Sequence, residues 1–196
     1  PVGVDLSAIG MIRALADLAR TVPVAEDDLQ RAISATLYCS VGDVLNLAVA
    51  RGRSCLFTRA SNAGLRTIVD RLATGRNLTA EHATMWLSHV GLEAPLEQVE
   101  GDPGTVGEAR SALESGVTSL VDELRLSLDY YGAQEGAVPL ESVVLCGPGS
   151  AIQGIGARIE AGIGLTVTQA VPPALAGVDV ATAARLTLPY GLALEA

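Results

Sequence analysis

The sequence predicts an α/β fold, a mixed β-sheet carrying helices, with a small helical subdomain beside it. Residues 36–40, 45–50 and 54–59 are short apolar runs joined by turns at Gly42-Asp43 and Arg51-Gly52-Arg53, as in an antiparallel meander. Residues 65–72, 83–90 and 106–131 carry apolar side chains at steps of three and four, the period of helices buried on one face. Residues 142–167 read as strand, glycine turn, helix and strand, a βαβ corner.

Taken in order, residues 2–6 are strand-like, and Ser7 is placed to cap a helix whose face holds Ile9, Ile12, Leu15, Ala16 and Ala19. Gly10 weakens that helix. Residues 21–28, with Pro23 and the run Glu26-Asp27-Asp28, form a solvated connector. In the second strand Leu45, Leu47 and Val49 alternate with Asn46 and Ala48. The next helix buries Leu65, Ile68, Val69 and Leu72 and ends at Gly75. Thr79 caps another, which carries Ala83, Trp86, Leu87 and Val90 and closes at Gly91. Residues 93–104 hold four acids, two prolines and no periodicity, and read as a loop. The longest helix, 106–131, is interrupted by Gly116 and would cross a whole domain at about 1.5 Å per residue. Val143 to Cys146 is a buried strand. Ile152, Ile155, Ile159 and Ile163 make the stripe of the helix after it, ended by Gly162 and Gly164, and 165–167 is the next strand. A helix from Asp179 or Thr182 through Leu186 follows, then an uncharged run, 188–194, readable as a helical turn or a strand.

Composition narrows the function. The 196 residues are 49% hydrophobic but only 3% aromatic, so the core is built from Leu, Val, Ile and Ala. A net charge of −9 argues against nucleic acid and anionic lipid as partners. Cys39, Cys55 and Cys146 lie in apolar strand-like runs without metal-ligand spacing, the pattern of buried reduced thiols in a cytoplasmic protein. No apolar run is long enough to span a bilayer. His82 and His89 are seven apart and have no acidic partner, so they read as helix-surface histidines. The chain starts at Pro1 within a strand-like run, and a piece of something longer is the expectation.

No Gly-x-x-x-x-Gly-Lys-Ser/Thr loop and no Gly-x-Ser-x-Gly turn occurs, and no catalytic residue is proposed. What remains are two glycine turns after strands, Ser40-Val41-Gly42-Asp43 and Gly147-Pro148-Gly149-Ser150. A glycine turn that enters a helix lets a ligand approach the backbone, but it also serves a plain βαβ corner. In one sheet the two turns could face a common cleft.

The runs 37–59, ending Leu56-Phe57-Thr58-Arg59, and 127–131, Ser-Leu-Asp-Tyr-Tyr, resemble the PilM family of type IV pilus assembly proteins, FtsA-related members of the actin-like ATPase superfamily. Gln134-Glu135-Gly136, the stretch 143–156, Pro1-Val2-Gly3-Val4-Asp5 and the closing Gly191-Leu192-Ala193-Leu194 extend the resemblance over nearly the whole chain. It implies an actin-like, ribonuclease H-like domain. Residues 1–35 would be the end of the first domain and a connector, 36–60 and 104–196 subdomain IIA, and 61–103 helical subdomain IIB. By the resemblance, Ser40, Gly42 and Asp43 belong to the second phosphate motif, and Gly147, Gly149 and Ser150 to the adenosine and ribose motif.

The whole protein would be a cytoplasmic scaffold, peripheral to the inner membrane through partners. The resemblance implies a PilN-like tail docking mainly on the missing first domain, and other pilus assembly proteins. The resemblance allows ATP and Mg²⁺ in the whole protein, bound weakly or not at all and turned over slowly if ever; none is expected in this piece, and no metal-binding residue is proposed. Self-association through residues 1–20 is a further expectation. An active ATPase holding ATP–Mg in the inter-domain cleft, or an FtsA-like polymerising protein, are the alternatives. Three departures favour the scaffold. Ser40 stands where metal-phosphate binders of the superfamily carry Asp, Pro148 removes an N–H, and Asn62-Ala63 precedes a single Gly64 where a glycine pair is expected.

Overall fold

The computed structural model describes residues 5–19 and 34–194. Its centre is a mixed five-stranded sheet, built from β1 (Ala35–Val41), β2 (Leu45–Arg51), β3 (Ser54–Ser61), β4 (Leu140–Cys146) and β5 (Thr166–Gln169) in the order β3-β2-β1-β4-β5. β1 pairs antiparallel with β2 and parallel with β4, and β4 pairs parallel with β5. The meander and the βαβ unit therefore meet at β1. All seven β1 residues are buried, which accounts for its unbroken apolar reading.

Helices cover both faces of the sheet. On one face Leu37, Cys39, Val41, Val143 and Leu145 pack in a core shared with α2 (Leu65–Arg76), α3 (Ala80–Val90), α4 (Pro103–Gly132) and α5 (Ile155–Ile163). On the other, Tyr38, Ala48, Ala50, Val144 and Cys146 meet α1 (Ser7–Ala19), with Leu188 and Tyr190 of α6 (Val180–Ala193) against the same cluster. The alternation of side chains along β1 and β4 separates the two cores. α1 and α6 touch closely: a Cβ on Gly191 would overlap the Gly10 carbonyl, and one on Gly10 would come 2.9 Å from Leu192 Cγ. The glycine that weakens α1 by propensity thus lets the second helix approach. The apolar face of α1, expected to seek a neighbouring molecule, packs on its own chain.

Several local readings change. Residues 1–4 and the connector 21–28 lie outside the described residues. Ser7 sits inside the first turn of α1 rather than capping it, because the Leu6 carbonyl takes the first bonds, from Ile9 N and Gly10 N. α2 runs past Gly75 to a left-handed Asn77, and the amide N–H of Leu78 closes the end on Ala73 O at 2.9 Å. α4 begins earlier than its apolar stripe, since Asp102 accepts from Thr105 N at 2.8 Å and Pro103 fits the first turn. The loop before it contains a short 3₁₀ turn, Leu96–Gln98. The two last segments are one helix, α6, continuous through Pro189. Thr79 caps α3 as expected, accepting from His82 N at 3.2 Å. Arg110 holds the far end of α3, donating to Gly91 O at 2.8 Å and Ala94 O at 2.6 Å. Among the described residues no helix is long and apolar enough to cross a membrane.

Candidate functional site

Both glycine turns leave the same end of the sheet. Ser40 of β1 lies in register with Cys146 of β4, so the turns after these parallel neighbours emerge side by side. This end is where ligands sit in open α/β sheets, outside the carboxyl ends of the strands.

The two turns differ in what they leave free. Gly42 is half-buried and Asp43 exposed. Their carbonyls accept the first amide N–H groups of α2, Leu65 N to Gly42 O at 2.7 Å and Arg66 N to Asp43 O at 3.4 Å. Gly64 permits this contact, since a Cβ there would overlap both carbonyls. The one glycine left of the expected pair therefore stitches α2 to the turn. The N-terminus of α2 spends these donors on the protein, and what faces outward is the Asp43 side chain.

The turn after β4 is closed in. Gly147 has φ +82°, open to glycine, and a Cβ on it would come 2.7 Å from Ser40 Oγ and 3.0 Å from Val41 N. On Gly149 a Cβ would come 2.5 Å from Val41 Cγ1. Contact with β1 is enough to require both glycines. Ser150 donates from Oγ to Gly147 O at 2.8 Å and from its N–H to the same oxygen at 2.9 Å, and its own carbonyl accepts from Gln169 Nε2 at 2.7 Å. The Ser150 hydroxyl is thereby committed to the turn.

Ser40 is only 3% exposed and lies beneath Gly147. It lies in register with Cys146, whose thiol is pushed up to about 12 by burial. Burial also raises Cys39, with the neighbouring Cys146 adding to it. Both thiols stay protonated and inert, whereas Cys55 is only half-buried. Tyr38, one step along β1 from Cys39, is raised to about 12, first by burial and then by the charge of Asp17.

Beside the second turn lies a cavity of about 190 Å³ lined by Leu65, Val69, Leu87, Pro148, Ile152 and Arg185. Its walls come from α2, α3, α6 and the turn. Ligand pockets usually run from about 300 Å³ upward, so this one takes part of a ligand, with an apolar floor and one cation. Pro148 faces it. Sequence reasoning missed Arg185, Leu65 and Leu87, because only the packing of α3 and α6 around the turn brings them together. Among the described residues no cluster of three His, Cys, Asp or Glu is placed to hold a metal ion. His89 bonds to Glu100 O through Nε2 at 2.8 Å and edges onto Trp86, away from both turns.

No protein-family model matches the sequence, and no curated protein sequence matches it significantly. Solved structures do match. A PilM–PilN type IV pilus biogenesis complex aligns with a TM-score of 0.69 at 19% identity, over 98% of this chain and 52% of that one. MreB5 of Spiroplasma citri bound to ADP aligns at 0.62 and 11% identity, over 96% of this chain and 57% of that one. The ethanolamine utilization protein EutJ from Carboxydothermus hydrogenoformans aligns at 0.53 and 12% identity, over 92% and 52%. The chain spans about half the length of these structures. What it shares with them at such identities is the fold, that of the actin-like ATPases.

Proposed function

We propose that this chain is one half of a PilM-like scaffold protein of type IV pilus assembly, whose nucleotide cleft has lost efficient hydrolysis. The observation that carries the reading is Ser40. Where an acid would face a metal-bound phosphate, a neutral hydroxyl sits buried under Gly147. A carboxylate holds Mg²⁺ or its water by charge, and a buried serine has no charge to offer. Gly42 and Asp43 are left to meet phosphates, and the cavity beside Pro148 to take the base or ribose, with ATP held weakly and turned over slowly. Residues 61–103 serve as the helical subdomain roofing that cavity. In this reading a PilN-like tail docks on the other half, and partners hold the protein at the inner membrane from the cytoplasm.

The test is the nucleotide content and turnover of the purified protein with its upstream half present. We expect substoichiometric nucleotide and slow release of phosphate. A titration of the 196-residue chain showing tight Mg–ATP binding would overturn the loss of function and favour the active ATPase.

A further inference from the structure

Both histidines and the one tryptophan of the chain stand on α3. His82, Met85, Trp86 and His89 follow one another at steps of three, one and three, so they share one side of the helix. Together they line a hollow of about 350 Å³, with no acid and no thiol in its walls. Met85 is 63% exposed, whereas Met11, the other methionine, is fully buried in the core. The accessible imidazole and thioether groups of the chain are thus gathered in one place.

The loop before α4 holds two of these side chains in place. Glu100 O meets His89 Nε2 at 2.8 Å. A carbonyl only accepts, so in the neutral ring Nε2 carries the proton and Nδ1 keeps its lone pair. Histidines that ligate metal ions commonly donate their other N–H to a carbonyl in this way. The next residue, Gly101, has φ +133°, and a Cβ on it would come 2.6 Å from Trp86 Cη2, so the loop also lies against the indole. The Trp86 and His89 rings meet edge to face, with centroids 5.7 Å apart.

We propose that this hollow binds a soft monovalent metal ion, Cu(I), through Met85 Sδ, His89 Nδ1 and the His82 ring, with the Trp86 indole as its wall. Thioether and imidazole are ligands that suit Cu(I), and an uncharged set favours a monovalent ion. Zn²⁺ and Mg²⁺ sites draw on thiolates or carboxylates, which do not line the hollow. The histidines alone, seven residues and about 10.5 Å apart along the helix, are too far apart to share an ion. Met85, three residues after one and four before the other, closes that gap. An ion fills little of the hollow, and the unbranched, exposed side chain of Met85 has the rotamers to fold over it. The indole face then attracts the cation from below. The proposal is independent of the nucleotide reading, which rests on the glycine turns.

The probe is Cu(I) itself, added without oxygen to the whole 196-residue chain in a Cys55→Ser background, with Ag(I) as a redox-inert stand-in. The substitution removes the half-buried thiol that would compete. Trp86, the one tryptophan, reports binding by its fluorescence. We expect quenching that saturates at a single equivalent, and X-ray absorption at the copper edge showing both sulfur and nitrogen neighbours. Met85→Leu keeps the volume of an exposed side chain, and His82→Gln and His89→Gln keep an N–H donor, so all three should fold. Each should weaken binding about tenfold or more. An affinity unchanged by any one of them overturns the ligand set, as does quenching that never saturates. Zn²⁺ held as tightly as Cu(I) overturns the choice of metal. Copper surrounded by sulfur alone would put the ion on the remaining thiols and overturn the site.

Discussion

The turn after β1 and the turn after β4 look alike in sequence, and the fold uses them differently. The first keeps Asp43 exposed and spends its carbonyls on the start of α2. The second is pressed onto β1, bonded to itself through Ser150, and roofed by α6. A glycine after a strand therefore says that something comes close, without saying whether it is a ligand or the protein's own backbone. Here the closest neighbours of Gly147 and Gly149 are Ser40 and Val41.

The sharpest way to break this contrast is to restore the acid. If Ser40 faces an open phosphate site, Ser40→Asp should gain Mg²⁺ affinity. The buried position predicts the opposite, a charge forced under Gly147 without a counterion. A carboxyl raised by about three units costs roughly 4 kcal/mol at neutral pH. Its sign follows from the raised folded value: the penalty is absent below the unfolded value, near pH 4, and grows as pH rises to the folded one. Urea unfolding of the variant at pH 3.5 and pH 7 measures it. Little loss at either pH value, or improved Mg²⁺ binding, would place Ser40 in an open site.

Next in size is Gly149→Val, which drives methyl groups into Val41. Overpacking of this kind costs about 3 kcal/mol. The expected result is a lower urea midpoint with or without nucleotide, because the clash is internal. A variant of unchanged stability that had lost only ligand binding would show that Gly149 serves the ligand.

These contacts mark how far the sequence could be read. The sheet, its helices and the nearness of the two turns were legible, because periodicity and turn residues act over a few positions and the βαβ corner makes strands parallel. The depth at which Ser40 lies was not, since it depends on Gly147 crossing above it from a strand about a hundred residues away. Arg185 beside Leu65 was hidden for the same reason. The uncharged run 188–194 stays open between helical turn and strand because it carries no clear period, whereas packing on α1 continues α6 through Pro189 to Ala193. Gly75 misled, as Asn77 two residues later adopts the left-handed conformation that ends α2.

A smaller effect concerns the roof of the second turn. Asp179 caps α6, accepting from Thr182 N at 3.0 Å, and that backbone bond is the first cause of a carboxyl held below its usual value of 3.8. A lowered folded value means the cap contributes above the unfolded value and fades as pH falls through the folded one. Exchange of the first α6 amides should therefore quicken below about pH 3.8 and, in Asp179→Ala, be fast at neutral pH too. Ala181 and Thr182 line the cavity, so fraying there should loosen it while the Gly42 turn keeps its protection. Equal loosening of both turns would show that they unfold as one unit.

Asp43→Ala should change stability least, by less than about 0.5 kcal/mol, since its side chain is exposed and makes no hydrogen bond or ion pair among the described residues. Its backbone carbonyl, which meets α2, survives the substitution. The comparison therefore turns on ligand binding alone. Measured together with the other half proposed for it, loss of residual nucleotide affinity without a shift in urea midpoint would assign the first turn to the ligand. An unchanged affinity would mean that this turn, like its neighbour, serves the fold, and that whatever nucleotide is held is gripped from the other half.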